Sequence, residues 1–282
     1  MSSKGISTNP DFMPVLAHRL VAYVVTGALS LGFLGTAVPA YGAPNGRIAY
    51  VKKQGGHIWV KNLDTGSNVD TGASGVNPKF SPNGLLITYN GKGVWVMNAD
   101  GSHRVLLDAG SGGSPSFSPD GQKIAFSKNG ICVINLDGSG FTQLTNHGIK
   151  AAWSPDGSQI AFSSYKDAPD SEIWLMNADG TNARVALTRP GEDIDTIWRP
   201  SSQIAFAGRS ERGYEIFSFD PATSTLTLLT TSSTGFEPTW SPDGTRIAFA
   251  SGARPAGIYV MNADGSSPQL VIEGGRQPGW GP

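Results

Sequence analysis

The strongest constraint on the fold is an internal repeat, in which an aromatic residue precedes Ser-Pro-Asp-Gly or a close variant and an apolar triplet such as Ile124-Ala125-Phe126 follows. Four copies keep the pattern and a fifth is degenerate: Phe80-Ser81-Pro82-Asn83-Gly84, Phe117-Ser118-Pro119-Asp120-Gly121, Trp153-Ser154-Pro155-Asp156-Gly157, Trp240-Ser241-Pro242-Asp243-Gly244 and Trp198-Arg199-Pro200-Ser201-Ser202. Proline presets φ at the first central position of a tight turn, and Asp-Gly supplies a local hydrogen bond and a positive φ. Each copy therefore predicts two antiparallel strands joined by a tight turn.

A second element recurs downstream of each strand pair. Its clearest copies run from Gly93 to Gly101, from Glu172 to Gly180 and from Gly257 to Gly265, and each ends in Asn-Ala-Asp-Gly. Apolar, β-branched runs that end in Asp-Gly are typical of strands that enter hairpins. Short strands follow, such as those around Phe141–Thr145 and Leu226–Thr230. Each repeat is thus predicted to be a four-stranded antiparallel sheet.

The two ends of the chain fall inside the same repeat. The segment Ala43–Tyr50 begins within the turn, and Gln277–Pro282 stops within it. Turn prolines at positions 44, 82, 119, 155, 200, 242 and 282 mark six repeats, and four-stranded repeats of about 40 residues are typical of a β-propeller. An open β-solenoid does not explain complementary ends, whereas pairing of the two ends would leave no exposed sheet edge. We therefore predict an all-β, six-bladed propeller that is closed by its terminal segments.

The N-terminus has the pattern of an export signal. Residues 20–38 carry no charge, and Lys4 and Arg19 lie upstream of them. Val38-Pro39-Ala40 places small side chains where signal peptidase needs them. We predict a signal peptide over residues 1–40, or to 42 at an alternative site, followed by a propeller over 43–282. An uncleaved signal anchor is the competing interpretation, because 19 uncharged residues just suffice to cross a bilayer.

Composition excludes several classes of protein. Lys and Arg number 21 against 22 Asp and Glu, and no basic run exceeds Lys52-Lys53, so nothing indicates a nucleic-acid partner. The single cysteine, Cys132, excludes an intrachain disulfide and multi-cysteine metal sites, and its apolar strand predicts a core position. We expect a monomer that is not inserted in a membrane once the signal is cleaved.

The repeats resemble the TolB-type β-propeller family, on the motif Trp-Ser-Pro-Asp-Gly, then Ile-Ala-Phe, then Ile-Tyr-Val-Met-Asn-Ala-Asp-Gly, found complete between Trp240 and Gly265. The resemblance covers about residues 43–282. The best-known family member is a periplasmic, non-enzymatic protein that works with a peptidoglycan-associated lipoprotein and an inner-membrane energy-transducing complex. The resemblance therefore implies an exported binding propeller with a protein or peptidoglycan-associated partner. That member has an α/β domain before its propeller, whereas almost no residues separate the predicted signal from the first blade in this sequence. Related repeats also occur in peptidases and polysaccharide lyases.

The two ends of the predicted blades differ in sequence. The Pro-Asp-Gly and Asn-Ala-Asp-Gly turns barely vary, and antiparallel alternation puts them on one face, which we name the turn face. The opposite face, the variable face, carries the connections between blades and the longest loops, Ser164–Asp170, Gly208–Tyr214 and Ser251–Pro255. Because binding residues concentrate on variable loops that a rigid scaffold positions, we expect the ligand there. Tyr165 and Arg212 are the side chains predicted to contact it from the loops.

A ring of polar residues is predicted at the mouth of the central channel. The first strand of each blade lines the channel, and the residue three positions before its aromatic residue falls at the variable face. These channel-ring residues are Asn77, Ser114, Lys150, Asp195, Glu237 and Gln277. Two interpretations stay open, a polar lining for a water-filled tunnel and a binding ring for a ligand or for a partner's inserted side chain.

Catalytic chemistry is the rival prediction. Asp195 and Glu237, with Glu192 and Asp193 nearby, form the most acidic sector, whose oxygen ligands suit Ca²⁺ or Mg²⁺. His57 and His147 could join Asp195 and Glu237 at the mouth in a lyase or hydrolase. The sequence has no nucleophile elbow, zinc-protease motif or phosphate loop. We therefore predict an exported, non-catalytic propeller without a cofactor that binds a protein, peptide or cell-wall ligand, with the enzyme as the alternative.

Overall fold

The structure, a computed structural model, describes residues 46–52, 56–232 and 234–282. Within these ranges the chain forms 24 β-strands in six four-stranded antiparallel sheets and contains no helix, hence none that is long and apolar enough to cross a membrane. The predicted signal peptide, its cleavage sites and the turn at Pro44 lie outside the described residues. The six sheets confirm the predicted all-β, six-bladed propeller.

Each sheet is one blade, and its strands run in order from the channel outward. Blade 1 has β24 (Arg276–Gly281), β1 (Arg47–Val51), β2 (His57–Asn62) and β3 (Asn68–Ser74). Blade 2 has β4 (Val76–Phe80), β5 (Leu86–Asn90), β6 (Gly93–Asn98) and β7 (Val105–Ala109). Blade 3 has β8 (Gly113–Phe117), β9 (Lys123–Ser127), β10 (Ile131–Asn135) and β11 (Thr142–Gln143).

The remaining three blades follow the same order. Blade 4 has β12 (Ile149–Trp153), β13 (Gln159–Ser164), β14 (Glu172–Asn177) and β15 (Arg184–Leu187). Blade 5 has β16 (Asp193–Trp198), β17 (Ile204–Ser210), β18 (Gly213–Asp220) and β19 (Thr225–Leu228). Blade 6 has β20 (Gly235–Trp240), β21 (Arg246–Ser251), β22 (Gly257–Asn262) and β23 (Gln269–Glu273).

The termini close the ring in blade 1, as the sequence predicts. Strand β24 pairs antiparallel with β1, and Ile48 lies opposite Trp280. The Arg47 guanidinium donates from Nε to the carbonyl oxygen of Pro282 at 2.8 Å. Because the last strand pairs with β1 on the channel side, β1 has backbone partners on both sides and does not form a sheet edge.

The core lies between blades. Six clusters of buried apolar side chains are found among the described residues, and each combines two neighbouring blades. The aromatic residue at the end of each first strand belongs to such a cluster: Trp240 packs with Ile216 of blade 5, and Trp280 packs with Ile258 of blade 6. Full burial of one such side chain contributes about 1.5–3 kcal/mol. Cys132 is buried in the cluster between blades 2 and 3, as predicted.

The turn between the first and second strands is held by its own side chains. Ser118 Oγ donates to Asp120 Oδ1 at 2.6 Å, and the backbone N–H groups of Gln122 and Lys123 donate to Asp120 Oδ1 and to Ser118 Oγ. Gly121 has a φ of 71°, the left-handed conformation that glycine adopts without strain. This local network explains why the Ser-Pro-Asp-Gly sequence recurs.

Candidate functional site

The innermost strand of every blade is interrupted by a β-bulge at the channel ring. In β4 the pairing with β5 breaks between Val76 and Lys79, and the other five strands break at the equivalent place. All six ring residues have positive φ values, between 50° and 61°, and none is glycine. A left-handed conformation costs an ordinary residue roughly 1–2 kcal/mol, and a bulge redirects the side chain that it carries. The repeat thus places six side chains at a backbone cost.

The channel ring surrounds one small cavity. All six ring residues line it, so the structure brings them together around the axis. Its volume is about 50 Å³, room for a few water molecules only. Each ring side chain is half-buried. A ligand of any size therefore meets the ring by docking at the mouth or by inserting a narrow group.

The ring residues contact one another. Lys150 Nζ lies 2.7 Å from Asp195 Oδ1. The backbone N–H of Gln277 donates to Glu237 Oε2 at 2.8 Å, and the N–H of Asn77 donates to Gln277 Oε1 at 3.1 Å. These contacts join neighbouring blades and hold the polar groups in fixed positions before any ligand arrives.

Lys79 is a channel residue that the sequence analysis missed. It lies two positions after Asn77, lines the same cavity and donates from Nζ to the carbonyl oxygen of Pro278 at 2.8 Å. The equivalent positions in the other blades are Ser116, Ala152, Ile197, Thr239 and Gly279. The sequence signal that could have identified Lys79 is its charge, because the equivalent residues of the other five blades are uncharged.

The charges in the channel are perturbed by their enclosure. Burial lowers the pKa of Lys79 to about 8, although Glu237 opposes the shift. Burial also raises the pKa of the Glu237 carboxyl, and the charge of Asp195 adds to that effect. For Lys150, burial acts to lower the pKa, but the charge and hydrogen bond of Asp195 outweigh it and raise the pKa. Two cations and two carboxylates thus share the channel.

A larger groove leads from the ring across blade 6. Its volume is about 730 Å³, and it shares Lys150, Asp195 and Glu237 with the ring. Lys52 and Arg276 of blade 1 also line it, and Arg276 directly precedes the ring residue Gln277. We name it the blade-6 groove. It gives the variable face a surface large enough for several residues of a bound chain.

Tyr165 and Arg212, predicted to bind from the loops, lie apart from the ring cavity. Tyr165 is 49% exposed and donates to Glu192 Oε1 at 3.0 Å. Tyr214 donates to the other oxygen of Glu192 and packs its ring 5.0 Å from that of Phe236, a wall of the blade-6 groove. The two tyrosine hydrogen bonds lower the pKa of Glu192. Arg212 is exposed between β17 and β18.

The acidic sector expected at the mouth is smaller than predicted. Asp193 is fully buried, with Oδ1 2.6 Å from Arg189 Nη2, and burial raises its pKa to about 7 despite that partner. The Arg189 guanidinium also lies 4.4 Å from the centre of the Phe217 ring. Asp193 therefore faces the interior of blade 5, because its side chain and that of Asp195 are separated by the bulge.

The two histidines of the alternative catalytic site are not brought to the carboxylates. His57 Nδ1 lies 2.9 Å from Asp70 Oδ2 in an exposed pair, and His147 Nδ1 lies 2.8 Å from Ser164 Oγ. Neither histidine lines the ring cavity or the blade-6 groove. Within the described ranges, no group of three or more His, Cys, Asp or Glu side chains is placed to hold a metal ion. Burial lowers the pKa of His147.

Comparison with solved structures shows the same fold in proteins of different activity. TolB from Acinetobacter baumannii is 23% identical with a TM-score of 0.73, and the match covers 84% of this chain and 67% of that one. Putative TolB from Agrobacterium tumefaciens is 18% identical with a TM-score of 0.67, over 84% of this chain and 92% of that one. An oligogalacturonate lyase in complex with manganese is 18% identical with a TM-score of 0.55, over 77% and 70%.

Family membership rests on sequence as well as fold. No curated protein matches the chain in sequence. The family described as the TolB beta propeller domain matches residues 93–282, which is more than half of the chain and includes blades 3 to 6 complete, the outer two strands of blade 2 and the closing strand β24 of blade 1. This chain therefore belongs to the TolB β-propeller family.

Proposed function

We propose that this protein is an exported, non-catalytic propeller that binds a protein, peptide or cell-wall ligand at the channel ring and the variable face. The observation that carries the proposal is that six polar side chains are kept in left-handed bulges around one opening. Backbone strain of this kind persists where the surrounding structure enforces it, often at binding sites.

The chain's own use of glycine strengthens the argument. On the turn face, four turns require a φ of 69° to 72°, and the chain has glycine at each of them: Gly84, Gly121, Gly157 and Gly244. Glycine would adopt the ring conformation without strain as well. The ring has none. Glu237 and Gln277 accept hydrogen bonds from backbone N–H groups of the ring, but a polar side chain is present at all six positions, so we assign the ring a role beyond these backbone contacts.

Binding accounts for the state of the ring carboxylates. Asp195 is paired with Lys150, and Glu237 accepts a backbone hydrogen bond from Gln277. Positively and negatively charged groups in fixed positions are suited to recognising a partner's polar groups.

The proposal of export is supported by the uncharged segment at residues 20–38 and by the resemblance to a periplasmic family member. Retention by an uncleaved anchor is the other outcome.

The test is capture of partners from the native envelope fraction by the full chain carrying an affinity tag. We compare the wild type with a ring variant, Lys150→Met/Glu237→Gln, and with a control variant, Lys123→Met/Asp64→Asn, which makes the same charge changes at exposed positions near the turn face. The proposal expects the wild type and the control to retain the same partner and the ring variant to lose it. Equal capture by all three proteins would overturn it.

A second arm addresses the enzyme alternative. The purified protein is incubated with oligosaccharide and ester substrates, with and without divalent metal ions. We expect no turnover. Turnover that Glu237→Ala abolishes would replace binding with a lyase or hydrolase site at the channel mouth.

A further inference from the structure

The outer strand of each blade is a sheet edge, and most of these edges are protected against pairing with another chain. Proteins protect exposed edges with short strands, bulges or charged residues. Strand β11 is only two residues long. Strands β3, β7, β15 and β23 each have a register shift against the neighbouring strand. Each of these four also carries a charged residue: Asp70, Asp108, Arg184 and Glu273.

Strand β19, the outer strand of blade 5, has none of these protections. Its four residues, Thr225–Leu228, are uncharged and exposed, and they pair with β18 without a register shift. The uncharged stretch around it runs from Pro221 to Phe236. Two large apolar side chains lie on it, Leu226 at 39% and Leu228 at 49% exposure. Among the six described outer strands, β19 is therefore the one whose edge is open to pairing.

The backbone groups of the two leucines point away from the blade. The N–H of Leu229, the next residue, donates to the carbonyl oxygen of Ile216 at the start of this strand pair. Residues of an antiparallel strand direct their backbone groups to one neighbour and to the other in alternation. The two threonines of β19 therefore bond β18, and Leu226 and Leu228 present their N–H and C=O groups outward.

The leucine side chains end an apolar row that starts in the core. Leu226 lies opposite Phe219 and Leu228 opposite Phe217 on β18. Directly opposed residues of an antiparallel pair have their side chains on the same face. Phe219 is buried in the cluster between blades 4 and 5, and Phe217 packs against that cluster. The row thus reaches solvent at β19, where a further strand with leucines in the same places would continue it.

We propose that two copies of this protein pair antiparallel through β19, with Thr227 opposite its counterpart in the second copy. The strand suits itself in this register, because a leucine flanks Thr227 on each side. Leu226 then lies opposite Leu228 of the second copy, twice over, and each of these pairs exchanges two backbone hydrogen bonds. A second copy fits this edge better than a charged partner does, because the edge has no charge to attract one.

The size and direction of this contact determine what the dimer can do. One strand pair buries less than the roughly 1,200 Å² of a stable interface, so we expect a weak dimer that depends on concentration, in place of the monomer expected from the sequence. Antiparallel pairing reverses the direction of β19 in the second copy. The variable faces of the two copies therefore point in opposite directions, and the two channel rings remain free.

The experiment traps the dimer by a disulfide in the full chain. In the proposed register Thr227 and its counterpart form a pair without mutual hydrogen bonds, whose Cα atoms lie about 4.5 Å apart, within the range of a disulfide. We expect Thr227→Cys to give a disulfide-linked dimer when copper phenanthroline in air is the oxidant. Cys132 is buried and serves as the internal control in the wild type, which should remain unlinked.

Thr225→Cys is the matched control, because it is also exposed and lies on the same face of the strand. In this register it is opposite Leu229 of the second copy, and its own counterpart is four residues further along, about 14 Å away. That distance is too long for a disulfide. We therefore expect at least about tenfold less linked dimer than with Thr227→Cys.

Charge pairs test the register. In the Thr227→Cys background, Leu226→Lys/Leu228→Glu places opposite charges face to face in the proposed antiparallel pairing, and Leu226→Lys/Leu228→Lys places like charges there. Both remove the same two leucines. We expect the first to keep the link and the second to lose it by about tenfold, since opposed charges stabilise a strand pair and like charges destabilise it. Circular dichroism and the thermal midpoint verify that each variant is folded.

The outcomes are separate from those of the proposed function. The ring variant, Lys150→Met/Glu237→Gln, should link through Thr227→Cys as the unchanged ring does, whether or not it keeps its envelope partner. No linked dimer at any protein concentration would overturn the pairing, as would equal linkage through Thr225→Cys and Thr227→Cys. Equal loss in both charge variants would exclude the proposed register. Linkage of Thr227→Cys to a different protein would assign the edge to that protein and would also overturn the proposal.

Discussion

The two faces of the propeller solve the same backbone problem in different ways. Both need left-handed residues at repeated positions. The turn face uses glycine at four of the five described first turns, and the channel ring uses polar residues at all six bulges. Glycine removes the strain in those first turns, whereas other turn-face positions keep left-handed serines, Ser202, Ser224 and Ser267. The difference is that the ring has a polar residue at every copy of the repeat, and on this we base the proposal that its side chains are kept for binding.

The two faces also treat charge differently. Carboxylates on the turn face, such as Asp179 and Asp264, accept hydrogen bonds from the next turn residues, and these bonds lower their pKa values. In the channel, burial raises the pKa of Glu237 and lowers that of Lys79, so each is pushed toward its neutral form. The turns therefore favour the ionised form of their carboxylates, whereas burial in the channel disfavours the charged forms of Glu237 and Lys79.

The largest expected effect tests the packing of the turn face. A Cβ on Gly101 would lie 2.4 Å from the carbonyl oxygen of Thr71, in the neighbouring blade, and its φ is +88°. We expect Gly101→Val to lower the free energy of unfolding by about 3 kcal/mol, since it adds both a clash and backbone strain. Urea unfolding measures the change.

The control for that substitution is Gly66→Val, where φ is +74° and nothing lies within 4 Å of the added Cβ. It carries the strain alone and should lose about half as much stability. Equal losses for the two variants would show that contact between blades does not matter at Gly101.

A smaller loss is expected from the side-chain network of a turn. Ser118 is buried and bonds both Asp120 and the N–H of Lys123. Ser118→Ala should lower the free energy of unfolding by about 1–2 kcal/mol, because it removes a buried hydroxyl that bonds both Asp120 and the N–H of Lys123. Ser266→Ala, at an exposed turn, should change it by less than about 0.5 kcal/mol. Chemical denaturation of both variants checks the difference, and similar losses would contradict it.

The lowered pKa of Lys79 in the channel predicts that the stability of the protein depends on pH. Its pKa is about 8 in the folded protein and 10.5 when unperturbed. Between these values the unfolded chain holds the proton and the folded chain does not, so stability rises with pH. We expect a gain of about 1 kcal/mol across this range, since channel water screens part of the effect.

Lys79→Met should remove that gain, and Lys123→Met, at an exposed site, should preserve it. Unfolding curves from pH 7.5 to 10.5 measure both. An unchanged slope in Lys79→Met would show that the channel does not hold this amine in a perturbed state.

The smallest expected effect concerns the turn carboxylates. Hydrogen bonds from Ser118 and Gln122 outweigh burial and lower the pKa of Asp120. Stability from this group is therefore present above its unfolded pKa and lost as the pH falls through the folded one, below about pH 4. Asp120→Asn should keep the turn at neutral pH, because Asn83 accepts the same serine bond in blade 2 at 2.7 Å. It should reduce acid destabilisation by roughly a few tenths of a kcal/mol, measured by unfolding at pH 2–4; a larger acid loss would contradict this.

The sequence predicted the fold and the ring because both follow from a fixed offset within the repeat. In every blade the ring residue lies three positions before the aromatic residue on the same strand. Once Trp240 and its turn are recognised, this offset gives Glu237. It could not predict that Asp193 turns into blade 5 or that His57 and His147 stay away from the channel. A repeat gives the strand and the face, but the bulge and the packing between blades set which way each side chain points.

Lys79 shows the same limit. Lys79 occupies a repeat position filled elsewhere by small or apolar residues, so nothing periodic marks it as a channel residue. Its place in the channel depends on the geometry between blades, which appears only in the folded chain.

The most direct test of the account replaces left-handed residues by glycine on both faces. The ring variant is Asn77→Gly/Ser114→Gly, which keeps the Gln277 side chain and its bond to the Asn77 N–H. The matched variant makes the same kind of change at two exposed turn-face serines with a φ of 54°, Ser224 and Ser267. Both variants should unfold at the same or a higher denaturant concentration than the wild type, because each change relieves backbone strain. Only the ring variant should lose the envelope partner. A ring variant that keeps the partner, or that becomes much less stable than its match, would contradict the claim that these side chains are kept for binding.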